Sequence, residues 1–266
     1  MSKGCLVFAF NNEQIDYIKQ AKNLATRAKT FLDLKTTVVT DVDIQDEVFD
    51  KVIIVKDKSY TTKKTYRNGT ETSKLSFKNS NRIYSYDLSP YNETLILDSD
   101  VIICNKDYKK CFETKKDILL FKNAFDICTH RKTDEFDFVS NTGCEFYWAT
   151  CVYFKKNKNT KTFFELLHHI YENYTYYKQI YQIPSNVYRN DFAFSIAIHM
   201  LNNFQQGNFV GEFPGTLYYS IDRDIVKSIS DKEILLLTEF QNKHIPVKLK
   251  NTNLHCMNKF ALEELL

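Results

Sequence analysis

Two aspartates one residue apart, Asp98 and Asp100, interrupt the apolar run Leu95-Ile96-Leu97-Asp98-Ser99-Asp100-Val101-Ile102-Ile103. Paired carboxylates at this spacing can hold a hard divalent cation, which turns their mutual repulsion into coordination and carries phosphate oxygens on its open side. A strand alternates its side chains, so an extended run would put both carboxylates on one side with Ser99 opposite. The plainer alternative is a turn at a strand end, because Asp and Ser are favoured turn residues. Apolar, β-branched flanks on both sides suit a strand buried on both faces that ends in a cleft.

Such a strand needs neighbours, and the chain supplies them. Cys5-Leu6-Val7-Phe8-Ala9-Phe10 is a compact apolar strand, and Glu13 opens helical spacing through Ile15, Ile18, Ala21, Leu24 and Ala25. Thr36-Thr37-Val38-Val39-Thr40 follows as a second strand, so the opening reads as a βαβ unit. Ligands gather beyond the carboxyl ends of such strands, which places Ala9, Phe10, Asn11 and Asp41 at a nucleotide edge. The glycine-rich dinucleotide fingerprint is missing, since Gly4 precedes the strand, which argues against a Rossmann dehydrogenase. Val52-Ile53-Ile54-Val55 reads as a third strand, and the polar stretch 56–76 with Asn68-Gly69 as an exposed loop or hairpin. Residues 77–88 read as a helix on which Lys78, Asn81 and Arg82 share a face, with solvated surface as the plain account of Lys78.

Downstream, 117–121 and Trp148-Ala149-Thr150-Cys151-Val152-Tyr153-Phe154 are strand candidates, and 124–143 reads as a loop over the cleft mouth. Residues 160–181 carry Phe163, Phe164, Leu167, Ile170 and Tyr174 at helical spacing. His168 and His169 are adjacent there and cannot both face one metal. Arg189-Asn190-Asp191 opens a further helix with Asn190 or Asp191 as its N-cap.

At these residues the sequence becomes similar to a known group. Tyr91-Asn92-Glu93-Thr94-Leu95-Ile96-Leu97-Asp98-Ser99-Asp100-Val101-Ile102 resembles the metal-binding Asp-x-Asp region of nucleotide-sugar glycosyltransferases of the GT-A fold. The likeness is to the glycogenin-like retaining group and to related transferases of tailed phages, as short motifs spread from Leu6 to Lys259. The resemblance implies a GT-A-like, Rossmann-like α/β fold with a mixed, mainly parallel sheet flanked by helices in one domain. In it, 1–104 would be the nucleotide-binding half and 105–266 the acceptor and sugar half with a C-terminal metal-site tail. It further implies that Arg82 reaches the donor, that Ala149, Thr150 and Cys151 stand where the sugar pocket begins, and that Asp191 touches the transferred sugar. In Leu254-His255-Cys256-Met257-Asn258-Lys259, His255 would complete a metal site with Asp98 and Asp100, and Lys259 would contact the diphosphate alongside Ser99 and Lys78.

Composition suits one globular α/β domain: 266 residues can bury a sizeable core, and 43% hydrophobic with 26% charged residues argues against a disordered or fibrous chain. A net charge of +3 permits an acidic partner without demanding one. Seven scattered cysteines, no two at zinc-ligand spacing, are expected as reduced thiols in a cytoplasmic protein. Met1-Ser2-Lys3-Gly4 leads straight into a strand, so no leader is expected, and no run nears the roughly 20 apolar residues that span a bilayer. The expected function is a metal-dependent glycosyltransferase using Mn²⁺ or Mg²⁺ and a sugar nucleotide, UDP-linked by the resemblance. The acceptor would be a modified base in phage DNA, with protein and glycan as alternatives. Base flipping would then bring Phe136, Phe138 or Tyr147 against the nucleotide, and Lys and Arg of 56–74, Arg131 and Lys132 against its phosphates. The rival classes are a nucleotidyltransferase acting on sugar phosphates and a non-catalytic sugar-nucleotide-binding protein.

Overall fold

A computed structural model describes residues 2–55, 62–68, 71–78, 80–132, 134–185, 187–241 and 243–266. Its opening is the expected strand-helix-strand unit. β1 (Lys3–Phe8) buries Cys5, Leu6 and Val7, and α1 (Tyr17–Arg27) begins where Asp16 accepts from Lys19 N at 3.0 Å. α1 turns Ala21, Leu24 and Ala25 inward, continues as a π turn over Ala28–Leu32, and gives way at Asp33 to β2 (Lys35–Thr40) and then β3 (Lys51–Ile54). At Gly4 a Cβ would fall 2.3 Å from the Tyr91 ring, so glycine lets that ring lie on β1 and its hydroxyl reach Thr37 Oγ1 at 2.9 Å.

The polar stretch forms an antiparallel hairpin of β4 (Thr62–Asn68) and β5 (Glu71–Phe77), with residues 69–70 of its tip and Lys56 and Lys58 before it outside the described residues. The helix expected over 77–88 is not continuous. Phe77 is taken by β5, a 3-10 segment covers Ser80–Tyr84, and α2 (Ser85–Leu88) lasts one turn. The end at Leu88 is as expected, because Pro90 forces Ser89 out of helical geometry (ψ 129°); the start is late because β5 and the 3-10 segment take the residues before Ser85.

β6 (Glu93–Leu97) and β7 (Val101–Ile102) flank the aspartates, followed by β8 (Ile118–Phe121), β9 (Ala124–Asp126) and β10 (Trp148–Lys155). The stretch 124–143, expected as a loop, thus begins with a strand; the buried Asp126 carboxylate then orders the turn by accepting from Cys128 N and Arg131 N, each at 3.0 Å. The helix expected over 160–181 breaks at Asn173 into α3 (Lys158–Glu172) and α4 (Tyr174–Ile180). α5 (Asn190–Leu201) is buried all round, from Phe192 to Ile198, and packs on β10. The chain finishes with β11 (Gly211–Glu212), β12 (Leu217–Ser220), β13 (Ile225–Ile229), β14 (Glu233–Phe240), β15 (Lys243–Lys250), β16 (Leu254–Cys256) and α6 (Lys259–Leu265).

The fold is α/β with a mixed, mainly parallel central sheet flanked by helices. Strand order is β11-β8-β10-β6-β1-β2-β3, and β10 alone runs against its neighbours. A second sheet, β7-β16-β12-β9, is entered directly from β6. A third, β13-β14-β15, stands over a small apolar cluster that includes Cys128, Val226, Ile234 and Leu236. All seven cysteines are buried and free, and no described helix is long and apolar enough to cross a membrane.

Candidate active site

β6 makes its last ladder contact when Asp98 N donates to Thr150 O at 3.0 Å, after which the chain must change sheets. It does so through Asp98-Ser99-Asp100, a turn closed by Val101 N donating to Asp98 O at 3.1 Å. The carboxylates are therefore brought together by a turn and not by strand alternation. The site sits beyond the carboxyl ends of β1 and β6, on the side where the order of parallel strands reverses direction about β1.

The third group arrives from the far end of the chain. β16 pairs with β7 so that His255 lies opposite Val101, and Cys256 N donates to Asp100 O at 3.0 Å. That register holds His255 Nε2 3.3 Å from Asp100 Oδ2 and 3.9 Å from Asp98 Oδ2. Thr150 Oγ1 lies 3.4 Å from His255 Nδ1, which leaves Nε2 as the nitrogen presented to the carboxylates. Ligand atoms of Asp98, Asp100 and His255 all lie within 4.8 Å of one another. Two carboxylate oxygens and an imidazole, open to a cavity, are a donor set that can hold a metal ion.

Each carboxylate also has its own cation. Arg82, 6% exposed, donates to the Asp98 carboxylate and to the Ala149 carbonyl. Lys259, the first residue of α6, donates to the Asp100 carboxylate. Its helix is fixed by Asn258, which accepts from Ala261 N at 3.0 Å and donates to the carbonyls of Asp222 and Asp224. Burial alone would raise the Asp100 carboxyl, but the charges of Lys259 and His255 overcome it and hold the group well below its ordinary range. Burial would likewise lower Lys259, and Asp100 more than reverses this, leaving the ammonium above its ordinary value.

These groups line a cavity of about 410 Å³, within the range of small-molecule sites. Phe8 and Phe10 from the end of β1, Tyr17 from α1 and Tyr66 and Phe77 from the hairpin give it an aromatic side. The hairpin is tied down by Tyr66 Oη to Tyr17 Oη at 3.0 Å, Ser76 N to Glu13 at 2.9 Å and Asn12 Nδ2 to Ser76 O at 3.0 Å. Trp148, Ala149 and Thr150 line it as well, with Arg131 and Arg189. The basic surplus suits an anionic ligand.

Of the residues singled out in the sequence, Phe10, Lys78, Arg82, Asp98, Ser99, Asp100, Asp191, His255 and Lys259 line this cavity together. Ala9 does not: it is wholly buried, its N–H bonded to Val39 O at 2.9 Å. Asn11 caps the approach to α1 by accepting from Ile18 N, and Asp41 pairs with Lys78 at 2.7 Å from outside the lining. Neither Asn190 nor Asp191 is the N-cap of α5; Arg189 holds that position, and the Asp191 carboxylate instead accepts from Ala149 N and Arg189 Nη2, each at 2.9 Å. It thereby fixes the start of β10. Phe136, Phe138 and Tyr147 stand off the cavity, Phe136 packing on Phe146 and Trp148. Cys151 is fully buried, and Lys132 is exposed. Tyr66 and Asp222 were not foreseen. Tyr66 shares one face of a polar strand with Lys64, a weak period-two signal, whereas no local pattern marks Asp222.

No protein-family model and no curated protein sequence matches the chain. Among solved structures it is similar to the glycosyltransferase GlyE of Streptococcus pneumoniae TIGR4, at 15% identity and a TM-score of 0.46, covering 80% of this chain and 46% of that one. The apo form of GlyE gives 17% identity and a TM-score of 0.42 over 78% of this chain and 45% of that one. The chain thus spans less than half the length of the GlyE chains.

Proposed function

We propose that this chain is a GT-A-like glycosyltransferase that moves a sugar from a nucleoside diphosphate sugar, with Asp98, Asp100 and His255 holding a divalent cation. The observation that carries the reading is the convergence of these three ligands with two buried cations, Arg82 and Lys259, on one cavity beyond β1 and β6. When bound, the ion would act as a Lewis acid toward the diphosphate. In the transfer, the bond from the anomeric carbon to the diphosphate oxygen breaks, positive charge spreads over the sugar ring, and negative charge grows on the leaving oxygen. Arg82 and Lys259 are placed to take up that growing charge, exchanging part of their hold on the carboxylates for the phosphate oxygens. Asp191, joined to the start of β10, would position the sugar, and the aromatic side with Phe10 and Tyr17 would receive the base. In this division 1–104 hold the nucleotide, while 105–266 shape the sugar site and return His255 and Lys259 to it.

The sequence resemblance favours a uridine-linked donor, retention at the anomeric carbon, and a hydroxymethylated DNA base as acceptor, with Arg131 on the cavity wall as a phosphate contact. Nucleotidyl transfer through two ions would call for a third carboxylate at the metal. Among the described residues the group at this cavity consists of Asp98, Asp100 and His255.

Calorimetric titration with uridine, guanosine and thymidine diphosphates tests the binding half of the proposal. At least one should bind with Mn²⁺ present and lose its affinity when the metal is chelated. Equal affinity with and without metal would contradict the assignment of Asp98, Asp100 and His255.

A further inference from the structure

Away from the cavity, Cys128, His130 and Asp224 bring a thiol, an imidazole and a carboxylate to one point, their ligand atoms all within 4.8 Å of one another. His130 Nε2 lies 3.0 Å from Asp224 Oδ1 and 2.8 Å from Thr238 Oγ1. Cys128 and His130 are two residues apart, and the residue between them, Thr129, has a φ of 58°. A β-branched residue adopts that left-handed conformation only at a cost, so the surrounding structure must impose it. Asp126 does so: its side chain accepts from Cys128 N and Arg131 N, and its carbonyl accepts from Thr129 N, all at 3.0 Å.

The opposing side is equally fixed. Asp224 is fully buried; Ile221 N donates to its Oδ2 at 3.0 Å, which leaves Oδ1 to face the imidazole, and Asn258 Nδ2 holds its carbonyl at 3.0 Å. Asp224, Cys128 (8% exposed) and Thr238 (5%) are buried, and the His130 side chain is 15% exposed, so the cluster is largely shielded from solvent. A thiol sulfur, an imidazole nitrogen and a carboxylate oxygen are each donors that zinc accepts, with the Thr238 hydroxyl alongside, and the sulfur disfavours Mg²⁺ or Mn²⁺. The other oxygen of the ligating carboxylate, held by a backbone N–H, is the outer-shell support such sites use.

We propose that Cys128, His130 and Asp224 form a structural zinc site, with the Thr238 hydroxyl beside the fourth position. As the zinc–sulfur bond forms, the Cys128 thiol gives up its proton to solvent. The ion would cross-link the 126–131 turn to the 221–224 turn, with β14 supplying Thr238 alongside. The two turns each send a side chain to the wall of the large cavity, Arg131 and Asp222. The cluster also lies at the edge of the small apolar core under the third sheet, where a cross-link adds most. The site is independent of the sugar-transfer reading, since it shares no ligand with Asp98, Asp100 and His255.

The test loads the full chain with Co²⁺ or Zn²⁺, removes loose metal by desalting, and measures bound metal and the thiolate-to-cobalt charge-transfer band. Wild type and Asp100→Asn should both retain zinc and show the band, because Asp100→Asn removes only the cavity site. Cys128→Ser should lose the band, and His130→Gln should weaken zinc binding by more than the roughly 10–100-fold cost of losing an outer-shell partner. With the cavity site removed by Asp100→Asn, chelation should lower the melting temperature, and adding Cys128→Ser to that variant should abolish the shift. A folded wild-type protein without the band, or a band that survives in Cys128→Ser, would overturn the proposal.

Discussion

Replacing Asp100 with asparagine is expected to abolish metal-dependent cleavage of the sugar nucleotide. Losing a ligand forfeits the several kcal/mol that a bound cation contributes to the developing charge, on the order of 10³-fold in rate. Asparagine is the informative substitution. Asp100 is 3% exposed and bonded to Lys259, with His255 at 3.3 Å, so alanine would strand a buried ammonium at a cost of about 3–5 kcal/mol. From the sequence alone the aspartates are a repelling pair, and removing one charge should spare the fold. In the structure the repulsion is already offset by Arg82 and Lys259, so Asp100→Ala should melt well below Asp100→Asn. Initial rates with Mn²⁺ and thermal melts of both variants read the two effects separately. Unchanged metal-dependent turnover in Asp100→Asn would contradict the ligand assignment.

The second large effect is expected at Lys259. If its charge meets the leaving diphosphate, Lys259→Met should lower kcat by roughly 10²–10³-fold while KM moves little, because the contact strengthens as charge develops. A raised KM with normal kcat would show that Lys259 binds ground state and transition state alike. The variant should also change the stability profile. Asp100 has its pKa lowered from 3.8, so its contribution is present above that value and is lost as pH falls below it toward the folded-state pKa. Lys259 has its pKa raised from 10.5, so its contribution is present below that value and is lost as pH rises through the folded-state pKa. Lys259→Met should therefore unfold at a less acidic pH than wild type and lose the alkaline limb, read by circular dichroism across the pH range.

How far the sequence could be read depended on whether the signal was local. The opening βαβ unit was legible because Leu6, Val7, Val38 and Val39 are contiguous apolar runs and Ala21, Leu24 and Ala25 keep helical spacing. Asp98 and Asp100 stood out because charge interrupts such a run. Their geometry did not, since the change of sheet after Leu97 depends on β7 pairing with β16, more than 150 residues away. The same pairing brings His255 to the site, which composition and spacing could not reveal and only the motif resemblance suggested. The sheet β13-β14-β15 was passed over although β14 alternates buried Ile234, Leu236 and Thr238 with less buried Leu235 and Leu237. The end of α2 at Leu88 was legible from Pro90. Tyr66 was obscured because the lysines and threonines around it read as solvated loop, and its burial comes from Ile15 and Leu75, on other elements.

Product identity tests the central claim most directly. The purified chain, incubated with Mn²⁺ and a panel of sugar nucleotides without added acceptor, should slowly release intact nucleoside diphosphate and free sugar from at least one donor, and chelation should stop it. Release of pyrophosphate, or no cleavage of any donor by folded, metal-loaded protein, would contradict glycosyl transfer at Asp98, Asp100 and His255.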